Sequence, residues 1–210
     1  MMKKYYFLLL LGGFWHPATA QHQEKEAFSL LDSIIQRDFQ ATFTYSSRSS
    51  QAQQEEISEG NITVQGNQYR LTMQQQEIVN NGQTIWTYLI EANEVQITDY
   101  NPEQEAKTPW EALANYRQDY TLDRLDTQQV DGQVYDVVAL VATNDAYNVE
   151  KIILTVAHTT RHIKRLEILD SSQVLHTFSM TNFTYNLALD KAFFNFNLDD
   201  YQDIEIIDMR

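Results

Sequence analysis

Apolar and polar residues alternate with a period of two through most of this chain, and the period changes clearly in two places. The first is Glu24–Arg37, where Ala27, Leu30, Leu31, Ile34 and Ile35 recur at helical spacing. That spacing predicts an amphipathic helix of about three to four turns. Phe39, Ala41, Phe43 and Tyr45 then alternate with Gln40, Thr42, Thr44 and Ser46, which marks a strand with one apolar face. Ile62 and Val64 lead through Gly66-Asn67 to Tyr69, Leu71 and Met73, a hairpin. Arg48–Glu56 reads as a polar loop.

Ile78–Asp99 organises the remainder. Asn81-Gly82 lies between two strand-favouring runs, and this pair suits a type I′ turn, in which both central residues take positive φ. After it, Thr84, Trp86 and Tyr88 share one face of a strand and Ile85, Thr87 and Leu89 the other. A reversal at Glu91–Glu94 leads to Val95 and Ile97, completing a three-strand meander with a face of large side chains.

The second change of period falls within Tyr100–Tyr120. Thr108-Pro109-Trp110-Glu111 supplies an N-cap, a proline at the first helical position and a glutamate three residues after the cap. Trp110, Leu113 and Ala114 give this short helix an apolar face, suited either to a lid over the sheet or to permanent packing. From Val130 strands resume: Val134–Ala142, Ile152–Val156, Ile163–Leu169, Val174–Tyr185 and Ile204–Met209. The expected fold is mainly β, with ten or eleven antiparallel strands and two helical insertions. Gly66, Gly82 and Gly132 fall in hairpin turns and none in a phosphate-cradling loop.

Met1–Ala20 stands outside this pattern. Lys3 and Lys4, the apolar run Tyr5–Phe14 and the small residues Ala18-Thr19-Ala20 read as a secretory signal, cleaved to leave one domain over residues 21–210. The chain has no cysteine. No residue can therefore be acylated as in a lipoprotein, no disulfide supports the fold, and the exported product is expected to be soluble in the periplasm. A net charge of −14 without a basic stripe argues against nucleic acid as a partner.

Candidate chemistry is sparse. His158 and His162 are four apart in a strand connection, where that spacing does not place both on one face, so no metal site is expected. Asp199-Asp200 and the Asp123/Asp126 pair lack the glycine and spacing of a calcium loop. No catalytic residue and no cofactor is expected. The apolar sheet face is left, either as a packed core or as a ligand concavity.

The segments E-G-N-I-T-V-x-G-N-Q-Y-R-L, I-V-N-N-G-Q-T-I-W-T-Y and T-P-W-E-A-L, followed by F-F-N-F and I-I-D-M-R, resemble the periplasmic outer-membrane lipoprotein carrier family, LolA, over nearly all of Glu24–Arg210. The resemblance implies an open, incomplete antiparallel β-barrel whose helices cover a hydrophobic concavity for lipoprotein acyl chains. It further implies acylated lipoproteins as cargo, with an inner-membrane lipoprotein-releasing ABC transporter and an outer-membrane acceptor as partners. The apolar positions assigned to acyl-chain binding are Leu30, Leu31, Ile34, Phe43, Tyr69, Leu71, Met73, Trp86, Tyr88, Val95, Ile97, Trp110 and Leu113. The family's basic-Arg-Pro sequence is replaced here by Val64-Gln65-Gly66-Asn67, so its lid-locking arginine is not carried over, and Arg70 lies on the wrong strand phase. The alternative is a carrier or sensor of another amphiphile, such as a glycolipid or fatty acid.

Overall fold

The computed structural model describes residues 17–49, 56–101, 113, 116–143 and 148–210. Its first element is α1 (Pro17–Ile35), which begins one turn or more before the expected helix. β1 (Phe39–Ser49) and β2 (Glu56–Gln65) form the first hairpin. β3 (Gln68–Met73), β4 (Gln76–Asn80), β5 (Thr84–Leu89) and β6 (Glu94–Asp99) continue it as a meander. The capping box and Trp110 lie outside the described residues; Leu113 is helical, and a single turn, α2 (Tyr116–Asp119), follows. A second meander comprises β7 (Tyr120–Val130), β8 (Gln133–Ala142), β9 (Val149–Ala157), β10 (Ile163–Asp170) and β11 (Val174–Tyr185). Two 3-10 turns, Lys191–Phe194 and Leu198–Asp200, lead to β12 (Glu205–Asp208).

All twelve strands form one open sheet in the order β12-β6-β5-β4-β3-β2-β1-β11-β10-β9-β8-β7. The two meanders join where β1 pairs with β11, placing Phe43 opposite Met180. Every pairing is antiparallel except β12 on β6. One of the additional strands is β7. Its apolar residues Leu122 and Leu125 are three apart, and a register shift between Leu122 and Arg124 brings both against β8 (opposite Leu140 and Val138) on one face. A bulge thus hides the period-two signal there.

The turns follow glycine and Asx chemistry. Gly66, Gly82 and Gly132 all have positive φ. The type I′ geometry appears at Asp131-Gly132, with φ of 51° and 77°, and not at Asn81-Gly82 as the sequence suggests. There only Gly82 is left-handed, and the Asn81 carboxamide oxygen instead accepts the backbone N–H groups of Gln83 and Thr84, each at 2.9 Å.

The main core lies on one face of this sheet, called here the inner face. It contains Ala27, Leu30, Leu31 and Ile34 of α1 together with apolar residues of β1–β5 and β8–β11. The cluster runs from α1 across both meanders of the sheet.

Candidate functional site

α1 presents Ala27, Leu30, Leu31 and Ile34 at i, i+3, i+4 and i+7, and all four are buried on the inner face. Phe43, Tyr69, Leu71 and Leu113 are buried in the same cluster, and Met73 packs partly buried against it. Eight of the thirteen sequence-assigned positions are therefore brought together. Phe39, Ile62, Leu166, Phe178 and Met180 join Phe43 and Leu71 of this group around a cavity of about 20 Å³. Sequence reasoning placed these five in strands but not at the site. Three of them, Leu166, Phe178 and Met180, lie on β10 and β11 and reach the site because β11 pairs with β1, which no local pattern encodes.

Trp86, Tyr88, Val95 and Ile97 belong elsewhere. They form a second cluster with Val79 and Phe196 on the opposite, outer face, packed against Leu198, Tyr201 and Ile204. Alternation divides β5 into two faces but does not say which is inward, and the C-terminal segment returns to cover the aromatic one. Tyr88 and Tyr201 rings lie 4.6 Å apart, and Tyr88 Oη donates to Asn93 Oδ1. Arg70 also faces outward, with Nε on Glu77 at 2.6 Å and Nη1 on the Phe193 carbonyl at 2.9 Å. It pins the C-terminal segment and does not reach α1. Burial pushes the Tyr201 hydroxyl, which donates to Glu77, up to about 12.

Polar contacts hold α1 at its solvent side. Tyr116 Oη donates to Asp32 Oδ1 at 2.5 Å, and Arg117 Nη2 donates to Asp32 Oδ2. Phe28 packs edge-on against Tyr116 at 5.5 Å. The hydrogen bond from Tyr116, followed by that from Arg117, holds the Asp32 carboxyl below its ordinary value. Burial, then the Asp32 contact, raises Tyr116 to about 12. Further along, Asp136 receives His158 Nδ1 at 2.8 Å and Arg161 Nη1 at 2.6 Å. His162 stacks on Phe183 instead. Among the described residues no group of three or more His, Asp or Glu is placed to hold a metal.

An apolar inner face capped by one helix can sequester a hydrocarbon chain, but not in the space now open. A cavity of about 20 Å³ admits roughly one water. Chain entry therefore requires side chains of this packed face to move apart.

The family described as outer membrane lipoprotein carrier protein LolA matches residues 36–197. The chain belongs to the LolA family. An uncharacterized conserved protein from Thermus thermophilus is similar in structure, with a TM-score of 0.56 and 14% identity over 88% of this chain and 98% of its own. A LolA superfamily protein from Nitrosomonas europaea is 14% identical over 82% of this chain and 97% of its own, with a TM-score of 0.45. Comparison with curated protein sequences gives no match. Among the described residues no helix is long and apolar enough to cross a membrane.

Proposed function

We propose that this LolA-family protein is a periplasmic carrier that takes lipoprotein acyl chains onto its inner face beneath α1 and shuttles them from the inner to the outer membrane. The observation that carries this reading is a continuous apolar face whose cover is a helix, not a strand. α1 is joined to the sheet by side-chain packing and by the Asp32 contacts to Tyr116 and Arg117, so it can lift without breaking a strand ladder. A chain of about 16 carbons gains roughly 12 kcal/mol by leaving water, at about 0.8 kcal/mol per CH₂. That gain is set against the burial of Leu30, Leu31 and Ile34 in the docked helix, about 1.5–3 kcal/mol for each. Apolar contacts are also non-directional, so they solubilise a chain yet release it to an acceptor.

Loading by an inner-membrane lipoprotein-releasing transporter and delivery to an outer-membrane acceptor complete the proposed route, and no catalytic role is assigned. The binding positions kept are Leu30, Leu31, Ile34, Phe43, Tyr69, Leu71, Met73 and Leu113, with Trp110 retained from the sequence. The test is mass spectrometry of protein purified gently from its native host. N-acylated lipoproteins should co-purify with the wild type and be depleted with Leu71→Glu that remains folded by circular dichroism. An empty protein that also accepts no lipoprotein from inner-membrane vesicles sinks the reading. A glycolipid or fatty acid in place of lipoprotein would establish the second reading.

A further inference from the structure

The Asn80 carboxamide is fully buried, and its two ends do different things. Its Oδ1 accepts the backbone N–H of Gly82 at 2.7 Å and so closes the turn after β4. That bond fixes which end of the group is oxygen. Nδ2, at the other end, has no hydrogen-bond partner among the described residues. An Asx turn needs the oxygen alone, and an aspartate would supply it equally well. The amide nitrogen is therefore surplus to the turn. A buried donor left unpaired costs more than an average hydrogen bond gains, and native proteins seldom keep one.

Strand register places this donor on the inner face. Asn80 stands opposite Tyr69 of β3 and Ile85 of β5, both members of the main core, and residues directly opposite share a face. Its neighbour Val79 belongs to the outer cluster. Two residues back along β4, Ile78 stands opposite Leu71, which lines the small cavity with Phe43 and Ile62. A hydrocarbon chain laid over Phe43, Ile62 and Leu71 thus has Asn80 at one end of its track. Asn80 is also the last residue of β4, at the margin of the sheet. Beyond it the surroundings are polar. Gln68 Nε2 donates to the Asn81 carbonyl at 2.7 Å, and a Cβ on Gly82 would stand 3.0 Å from the Asn67 carboxamide.

The donor belongs to the sheet, so it keeps its place whether or not α1 is docked. A chain that settles on the inner face covers it. A plain hydrocarbon leaves it unpaired, whereas a carbonyl oxygen satisfies it. We infer that Asn80 Nδ2 is a polar anchor for the acyl carbonyl of the cargo, donating to its ester or amide oxygen while the chain runs over Leu71, Ile62 and Phe43. The inference rests on the carrier reading and adds which end of the chain is held, and where. A carbonyl held at the sheet margin leaves the polar part of the cargo outside the apolar face.

The test is displacement of a bound fluorescent fatty acid by methyl decanoate, N-methyldecanamide and undecane, each below its solubility limit, in wild type and Asn80→Leu. Undecane has no acceptor. Ratios of half-displacing concentrations within one protein cancel the affinity of the probe and any general loss of folding. Relative to undecane, the ester or the amide should weaken about tenfold from wild type to Asn80→Leu, the scale of one hydrogen bond. Whichever loses more identifies an ester-linked or an amide-linked chain. Asn81→Ala removes the acceptor for Gln83 and Thr84 and loosens the same turn, yet should leave the ratios unchanged. In the infrared, the isotope-labelled carbonyl of that ester or amide should absorb at lower frequency bound to wild type than in hexane. This reading needs the wild type alone, so it decides even where Asn80→Leu does not fold. Unchanged ratios for both acceptors, an equal change in Asn81→Ala, or hexane-like bands for both carbonyls overturn the anchor and leave the carrier intact. No binding of the probe, or displacement by none of the three, overturns the carrier reading and the anchor with it.

Discussion

Phe43 and Gly60 face one another across β1 and β2, and the glycine is there because the phenyl ring fills its side-chain position. A Cβ at residue 60 would meet the Phe43 ring at 2.5 Å and the Thr72 carbonyl oxygen at 2.8 Å. The carbonyl is backbone and cannot swing away. Gly60→Ala should therefore cost about 1–3 kcal/mol, as overpacking does. Gly66→Ala meets nothing and should cost only the left-handed penalty of about 1–2 kcal/mol at φ +57°. Urea unfolding of the two variants checks this, and equal loss without any change in near-ultraviolet dichroism for Gly60→Ala would refute the packing account. Leu71 and Trp86 separate the two faces in a second comparison. Trp86 packs with Val79, Val95 and Phe196, so Trp86→Ala should lower stability by about 2 kcal/mol yet leave uptake of a fluorescent fatty acid intact. Leu71→Glu should reduce that uptake. Loss of uptake by Trp86→Ala, at a concentration where it stays folded, would show that the outer face also binds. The alternation at Thr84–Leu89 and Gln68–Met73 was readable in the sequence. Which side of β5 faced inward was not, because the C-terminal residues that cover Trp86 pair with it only through the fold.

Among the elements, the apolar stripe of α1 and the positions of the glycine turns could be read directly, since each depends on residues a few positions apart. β7 could not, because its bulge sets Leu122 and Leu125 out of phase, and α2 is too short to carry a period at all. Yet α2 holds the contacts that anchor α1. The pH response of those contacts follows from the sign of each shift. Asp32 is depressed below 3.8, first by Tyr116 and then by Arg117, so its contribution is full above that value and is lost as pH falls through the lowered one. Tyr116 is raised from 10 to about 12, so its contribution is full below pH 10 and is lost as pH climbs toward 12. The melting-temperature advantage of the wild type over Asp32→Asn should thus shrink only below about pH 3.8. The advantage over Tyr116→Phe should shrink only between pH 10 and 12. A difference that stays constant across either window would mean that the group does not titrate against its clamp partner.

At the scale of the whole molecule, twelve strands linked by continuous ladders make the sheet the stable body, and α1 is the part whose removal breaks no ladder. The helix packs on the same apolar face that a chain would use, and the cavity of about 20 Å³ on that face is too small to hold one. Docking of α1 and binding of a chain are then competing uses of one apolar face. A ligand can shift that balance only by its own differential affinity, and burial of methylene groups provides it. Stability and uptake should consequently move in opposite directions when the helix is loosened. Leu31 is fully buried on the inner side of α1, and Leu31→Ala removes contacts that hold the helix closed. Its unfolding free energy should drop by about 2–5 kcal/mol at most, less if only the helix lets go. Its association rate with a fluorescent fatty acid should rise, because the open state becomes more populated. Stopped-flow binding beside urea unfolding measures both quantities on one preparation. If association slows in step with lost stability, α1 is part of the binding surface and not its gate, and the chain must enter by another route.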